Sequence, residues 1–159
     1  MNTYETLLLL HFVSVGLLIG GEGVAMATGI GISRTSDTRV IGTLARLSST
    51  AEYVALIPGA IGTLVFGLWL VDETFYEFGD TWLVVSYVLW AIAMLVGLLV
   101  LGPHSRRVAR RAEALRSDGV DESEELHAEA SKPLIAILGM GQVVIIIAFL
   151  YLMTAKPGA

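Results

Sequence analysis

The sequence predicts an all-α integral membrane protein, a four-helix bundle with its N- and C-termini on the outer side. Three observations carry that expectation. Four apolar runs, roughly residues 7–32, 54–71, 82–101 and 133–153, occupy most of the 159 residues. Each approaches the ~20 apolar residues a helix needs to cross a bilayer core about 30 Å thick. The chain is 55% hydrophobic and 16% charged, and the runs lack the polar stripe that a water-soluble helix turns outward. The basic residues gather in two of the three connections, which gives the bundle an orientation.

The first span is expected over about 5–32. Glu5 stands where a signal peptide would be basic, and no small-residue cleavage pattern follows, so this run reads as a retained helix. The second span, about 48–71, carries Pro58 a few residues in, where the missing amide donor predicts a kink. The third runs over about 81–102, with Trp90 in mid-helix as a packing residue. The fourth runs over about 132–154, with Ser131 as its N-cap and Pro133 in its first turn. Tyr4, Trp69, Phe75, Tyr76, Phe78, Trp82 and Tyr151 all fall at one boundary, where amphipathic rings anchor in the headgroup layer.

Residues 33–47 connect the first two spans. Val40, Ile41, Leu44 and Leu47 recur there at helical spacing, so the segment lies on the inner leaflet or runs into the second span. Residues 103–131 connect the last two. They begin as a basic helical extension, break at Asp118-Gly119, and continue into an acidic stretch from Asp121 to Glu129 that can pair with it. Arg34, Arg39 and Arg46 lie in the first connection, and Arg106, Arg107, Arg110, Arg111, Arg116 and Lys132 in the other; residues 72–80 hold no Lys or Arg. The positive-inside rule makes the basic side cytoplasmic, in the cytoplasmic membrane, with Arg106, Arg107, Arg110 and Arg111 as inner-leaflet topology determinants. The length suits a single transmembrane domain over residues 1–159.

With no cysteine, disulfides, thiolate metal sites and cysteine catalysis are excluded. No motif for nucleotide binding, hydrolysis, nucleophilic catalysis or nucleic-acid recognition occurs, so no catalytic residue is assigned. Helix 1 is where chemistry would reside. His11 and Glu22 are the ionisable residues well inside it, and eleven residues at 100° return Glu22 to within about 20° of His11, about 16 Å away in depth. Opposite them runs a small-residue stripe, Gly16, Gly20, Gly23 and Ala27, of the kind that lets helix backbones approach closely. One face should serve the bundle interior, and the other a partner helix or a flat cofactor bordered by Gly16 and Gly20.

Three readings of His11 stay open: an axial ligand of haem b, a member of a proton or metal path with Glu22, or a buried polar residue bonded across helices. His104 and His127 lie near the opposite surface and cannot share a metal with His11 within one chain. Glu22 and Glu52 form a second polar set in the inner half of the membrane, with Arg46 near enough in sequence to pair with Glu52, and Lys132 or Arg39 to reach Glu22. Gln142 is a hydrogen-bonding candidate for either carboxylate.

The segment Leu-Leu-His11-Phe-Val-Ser-Val-Gly16-Leu-Leu-Ile-Gly20-Gly21 resembles helix 1 of the DUF2269 membrane family. Pro58-Gly-Ala-Ile-Gly62-Thr-Leu-Val-Phe-Gly67-Leu-Trp-Leu, and the Trp82 helix ending in Gly102-Pro103-His-Ser-Arg-Arg, resemble the rest of that pattern. More distantly, the histidine-then-glycine helix is similar to the HemJ-type protoporphyrinogen oxidase family and to the copper-resistance CopD domain. The oxidase resemblance implies a haem ligand at His11 and a membrane lysine, and the second and third spans here hold no lysine. Taken together, the sequence favours a non-catalytic accessory subunit or partner-binding protein. It would form a homo-oligomer or join other membrane subunits. A haem-b protein of electron transfer or porphyrin oxidation is the alternative, and a proton-coupled transporter using Glu22 and Glu52 ranks third.

Overall fold

A computed structural model describes residues 2–158 as helices joined by short turns. α1 (Thr3–Ile32) is opened by a capping box, in which the Asn2 side chain accepts from Glu5 N–H and the Glu5 carboxylate accepts from Asn2 N–H. It crosses the membrane without interruption.

The next two crossings change pitch on the way. α2 (Thr38–Ala51) passes through a π-helical turn, Glu52–Leu56, into α3 (Ile57–Asp72). α4 (Thr81–Val96) passes through a second π turn, Gly97–Leu101, into α5 (Gly102–Ser117). Each π turn ends two residues before a proline, Pro58 or Pro103. A proline inside an α-helix removes a donor, and its ring presses on the carbonyl four residues back. Widening the preceding turn, so that Ile57 N–H reaches Glu52 O and Gly102 N–H reaches Gly97 O, opens space for that ring. The kink expected at Pro58 therefore takes the form of a wider turn, and Pro103 repeats it.

The last crossing is divided into α6 (Glu124–Ala130) and α7 (Pro133–Ala155). Ser131 does not cap α7 as its position suggested. Pro133 holds Lys132 out of the α region, so Lys132 becomes the N-cap residue, while the Ser131 hydroxyl closes α6 on His127 O at 2.6 Å. Gly119, at φ 78°, turns the chain after α5 in the left-handed region that favours glycine.

Packing is tight at both ends. At the arginine-rich end Ile41 and Ala45 of α2 are buried against Val108 and Ala112 of α5 and Leu126 of α6. The segment at 38–51 is thus the start of the second crossing, its apolar face covered by α5, with Val40 and Leu47 left exposed. Thr38 fastens it to the last connection, its amide donating to Asp121 O at 2.9 Å and its hydroxyl to Val120 O at 2.7 Å. At the other end Val71, Trp82, Leu83 and Leu152 form a second core. Tyr76 meets Trp82 edge-on at 5.5 Å, and Lys156 Nζ donates to the Tyr76 hydroxyl at 2.8 Å and stands over both rings. Trp82 is therefore a core residue rather than a surface anchor. Tyr4, Trp69, Phe75, Phe78 and Tyr151 are exposed as the interfacial reading requires.

Candidate functional site

Between those two cores, in the arginine-rich half, the crossings part around a cavity of about 360 Å³. Leu18, Glu22, Ala25, Gly29 and Ile32 line it from α1, at the four-three-four-three spacing of a single helix face. The two π turns deliver Glu52 and Gly97, and α7 delivers Gln142. The walls are mostly apolar and their few polar groups are distributed along the depth, which is the usual composition of a small-molecule pocket.

Glu52 is the most enclosed of the charged groups lining the cavity, 8% exposed. Its Oε2 accepts from Arg106 Nη1 at 2.7 Å. Gly102 makes this approach feasible, since a Cβ there would fall on the carboxylate itself. Glu52 Oε1 has no hydrogen-bond partner among the described residues. Arg46, the nearer residue in sequence, instead forms an exposed pair with Glu113 at 3.1 Å. Arg106 is thus more than a topology marker: α2 and α5 pack side by side, and that brings it to Glu52. Arg111 binds Glu129 and, at 2.5 Å, Glu125, which joins the basic and acidic segments; Arg107 and Arg110 are exposed.

Glu22 also lines the cavity, and neither Arg39 nor Lys132 reaches it: Glu22 has no ion-pair partner among the described residues. Gln142 turns from the carboxylates to the α4 backbone, donating to Ala93 O at 2.9 Å. Trp90 Nε1 donates to Ala60 O at 3.0 Å and links α4 to α3. His104 also lines the cavity, with its Nε2 unpartnered among the described residues.

His11 lies outside that lining. It is 8% exposed, and its ring rests on α3, where a Cβ at Gly67 would be 3.1 Å from its Cε1. Its Nδ1 has no hydrogen-bond partner among the described residues. These residues do not fit haem b within one chain. An axial ligand needs open space beside the ring for a macrocycle, and here α3 occupies that side. Gly16 and Gly20, expected to border the cofactor, are exposed on another face of α1, and a Cβ on either meets nothing within 4 Å. No group of three or more metal-ligating side chains gathers among the described residues.

The small-residue stripe is divided from the polar face as its spacing implied. Gly16, Gly20, Gly23 and Ala27 are all exposed, and an added Cβ at the three glycines is unopposed. The close contact of α1 with α3 is made by other glycines. A Cβ at Gly59 would lie 2.7 Å from Leu18 N, and one at Gly62 would fall on the Ser14 hydroxyl. These were legible only as part of a family pattern; the signal for packing was their small-residue spacing along the second span.

The match to known families covers nearly the whole chain: residues 5–157 fit the family described as "Predicted integral membrane protein (DUF2269)". The chain belongs to the DUF2269 family. No curated protein and no solved structure matches it. Membership agrees with four helices in this DUF2269 chain that are long and apolar enough to cross a bilayer.

Proposed function

We propose that this protein is a non-catalytic membrane subunit that binds a partner helix through the Gly16–Gly20–Gly23–Ala27 face of α1. The observation that carries the reading is that the stripe is turned away from its own bundle, with open space where each glycine would bear a side chain. Helix association in lipid relies on close backbone packing rather than on hydrophobic drive. Glycine in a helix interior also costs about 0.5–1 kcal/mol relative to alanine. Three glycines facing lipid would carry that cost with no packing in return.

We also infer that the protein sits in the cytoplasmic membrane with the arginine-rich core inside and both termini outside. Support comes from the arginines at one end and from a connection at 72–80 that lacks Lys and Arg. The partner is a second copy or another membrane subunit, and one experiment serves both. In mild detergent the wild type should run as a particle larger than one chain, and Gly20→Leu with Gly23→Leu should reduce it to the single chain with its helicity intact. A wild type that already runs as one chain rejects the proposal.

A further inference from the structure

Independently of the α1 contact, we propose that the cavity of the arginine-rich half is a binding site for a lipophilic amine, a cationic head on an apolar tail, taken up from the bilayer. Four features of the cavity argue for that class. Its walls are apolar over most of their area, built from residues such as Leu18, Ile57, Ile146 and Phe149, so the body of the occupant is apolar. It is elongated: from Ile32 to Leu18 the α1 lining covers fifteen residues, about 21 Å of helix. It borders lipid, because Met26 of α1 and Met140 of α7 line it and are 46% and 58% exposed. It holds one carboxylate, Glu22, that has no ion-pair partner among the described residues.

The last point selects the head group. Glu22 lines the cavity without an ion-pair partner among the described residues. Glu52, nine-tenths buried, is already committed to Arg106 through one oxygen, and its other oxygen is enclosed against Gly102. Arg106 balances Glu52, so the uncompensated carboxylate on the lining is Glu22. Lys132, the cation on the lining, sits at the rim by its position at the start of α7. An isolated carboxylate in a bilayer is costly, and intramembrane acids pair with cations or serve a function. An ammonium head would pair with Glu22, while its chain fills the apolar length. An anionic amphiphile would set like charge against Glu22, and an uncharged one would leave it unpaired.

The test uses the full chain in detergent micelles and a dodecylamine brominated at its chain end, which quenches tryptophan on contact. Trp90 lines the cavity and reports occupancy. Saturable quenching is expected, absent in Trp90→Phe, and weaker by about tenfold or more in Glu22→Gln, the loss of one charge-assisted contact. The equally brominated dodecanol and dodecanoate should show no saturable phase. A second variant guards against a Glu22→Gln protein that fails to fold. Gly139 lines the cavity with nothing within 4 Å of an added Cβ, so a side chain can start into the space there, and Gly139→Leu should abolish the saturable phase. Quenching that is linear in probe, equal for amine and alcohol, or unchanged by Gly139→Leu overturns the proposal.

Discussion

At the scale of single residues, the contact that joins α2 to α5 in the membrane is Glu52 with Arg106. Both charges are largely withdrawn from water, with 10% and 29% of their side-chain surface exposed, and glycine at position 102 leaves room for the carboxylate. Removing one member of such a pair strands the other, at a cost of about 3–5 kcal/mol, less the share that water restores on the partly exposed arginine. Arg106→Gln should therefore lower the melting temperature in detergent markedly. Arg46→Gln removes an exposed pair with Glu113, worth about 0–1 kcal/mol, and should leave the melting temperature nearly unchanged. Equal effects of the two changes would contradict this assignment. The sequence pointed to a charged partner for Glu52 but chose the neighbour in the chain. Arg46 is six residues away and Arg106 fifty-four, and only the packing of α2 on α5 reverses that order of proximity.

Among the elements, α1 shows what glycine spacing does and does not reveal. The stripe at 16, 20, 23 and 27 was legible because a helical period arranges any three-four spacing into a line. Its direction was not, since periodicity groups residues on a face without saying what that face meets. The glycines that do meet α1 lie on α3, and their role is visible only against Ser14 and Leu18. A Cβ at Gly59 would press on the α1 backbone, so Gly59→Ala should force the two helices apart and lower thermal stability. Gly29 of α1 has open space around it, and Gly29→Ala should stabilise by about 0.5–1 kcal/mol through helix propensity alone. A stabilised Gly59→Ala protein would show that α1 and α3 do not touch there. Pro58 was legible as a kink. The π turns before Pro58 and Pro103 were not, because how a helix makes room for a proline depends on its neighbours as well as on its sequence.

For the whole molecule, two packed ends enclose a looser middle. One core joins α2, α5 and α6 with the end of α1, and the other joins α3, α4 and α7, while the cavity and its carboxylates lie between the crossings. The four crossings follow directly from apolar run length, which is why the fold was readable from the chain. Orientation rests on the arginines. A cysteine at the exposed, unopposed Gly79 should react with an impermeant thiol reagent from outside intact cells, and one at Ser117 should not; the chain has no other cysteine to confuse the readout. The reverse pattern would invert the bundle. The central claim is that the open face of α1 is covered by another chain. Its most direct measurement is the mass of the wild-type particle released from native membranes without detergent. A particle containing a second copy or another membrane subunit, lost in the Gly20→Leu, Gly23→Leu variant, is the predicted result; a wild type released as a single chain would contradict it.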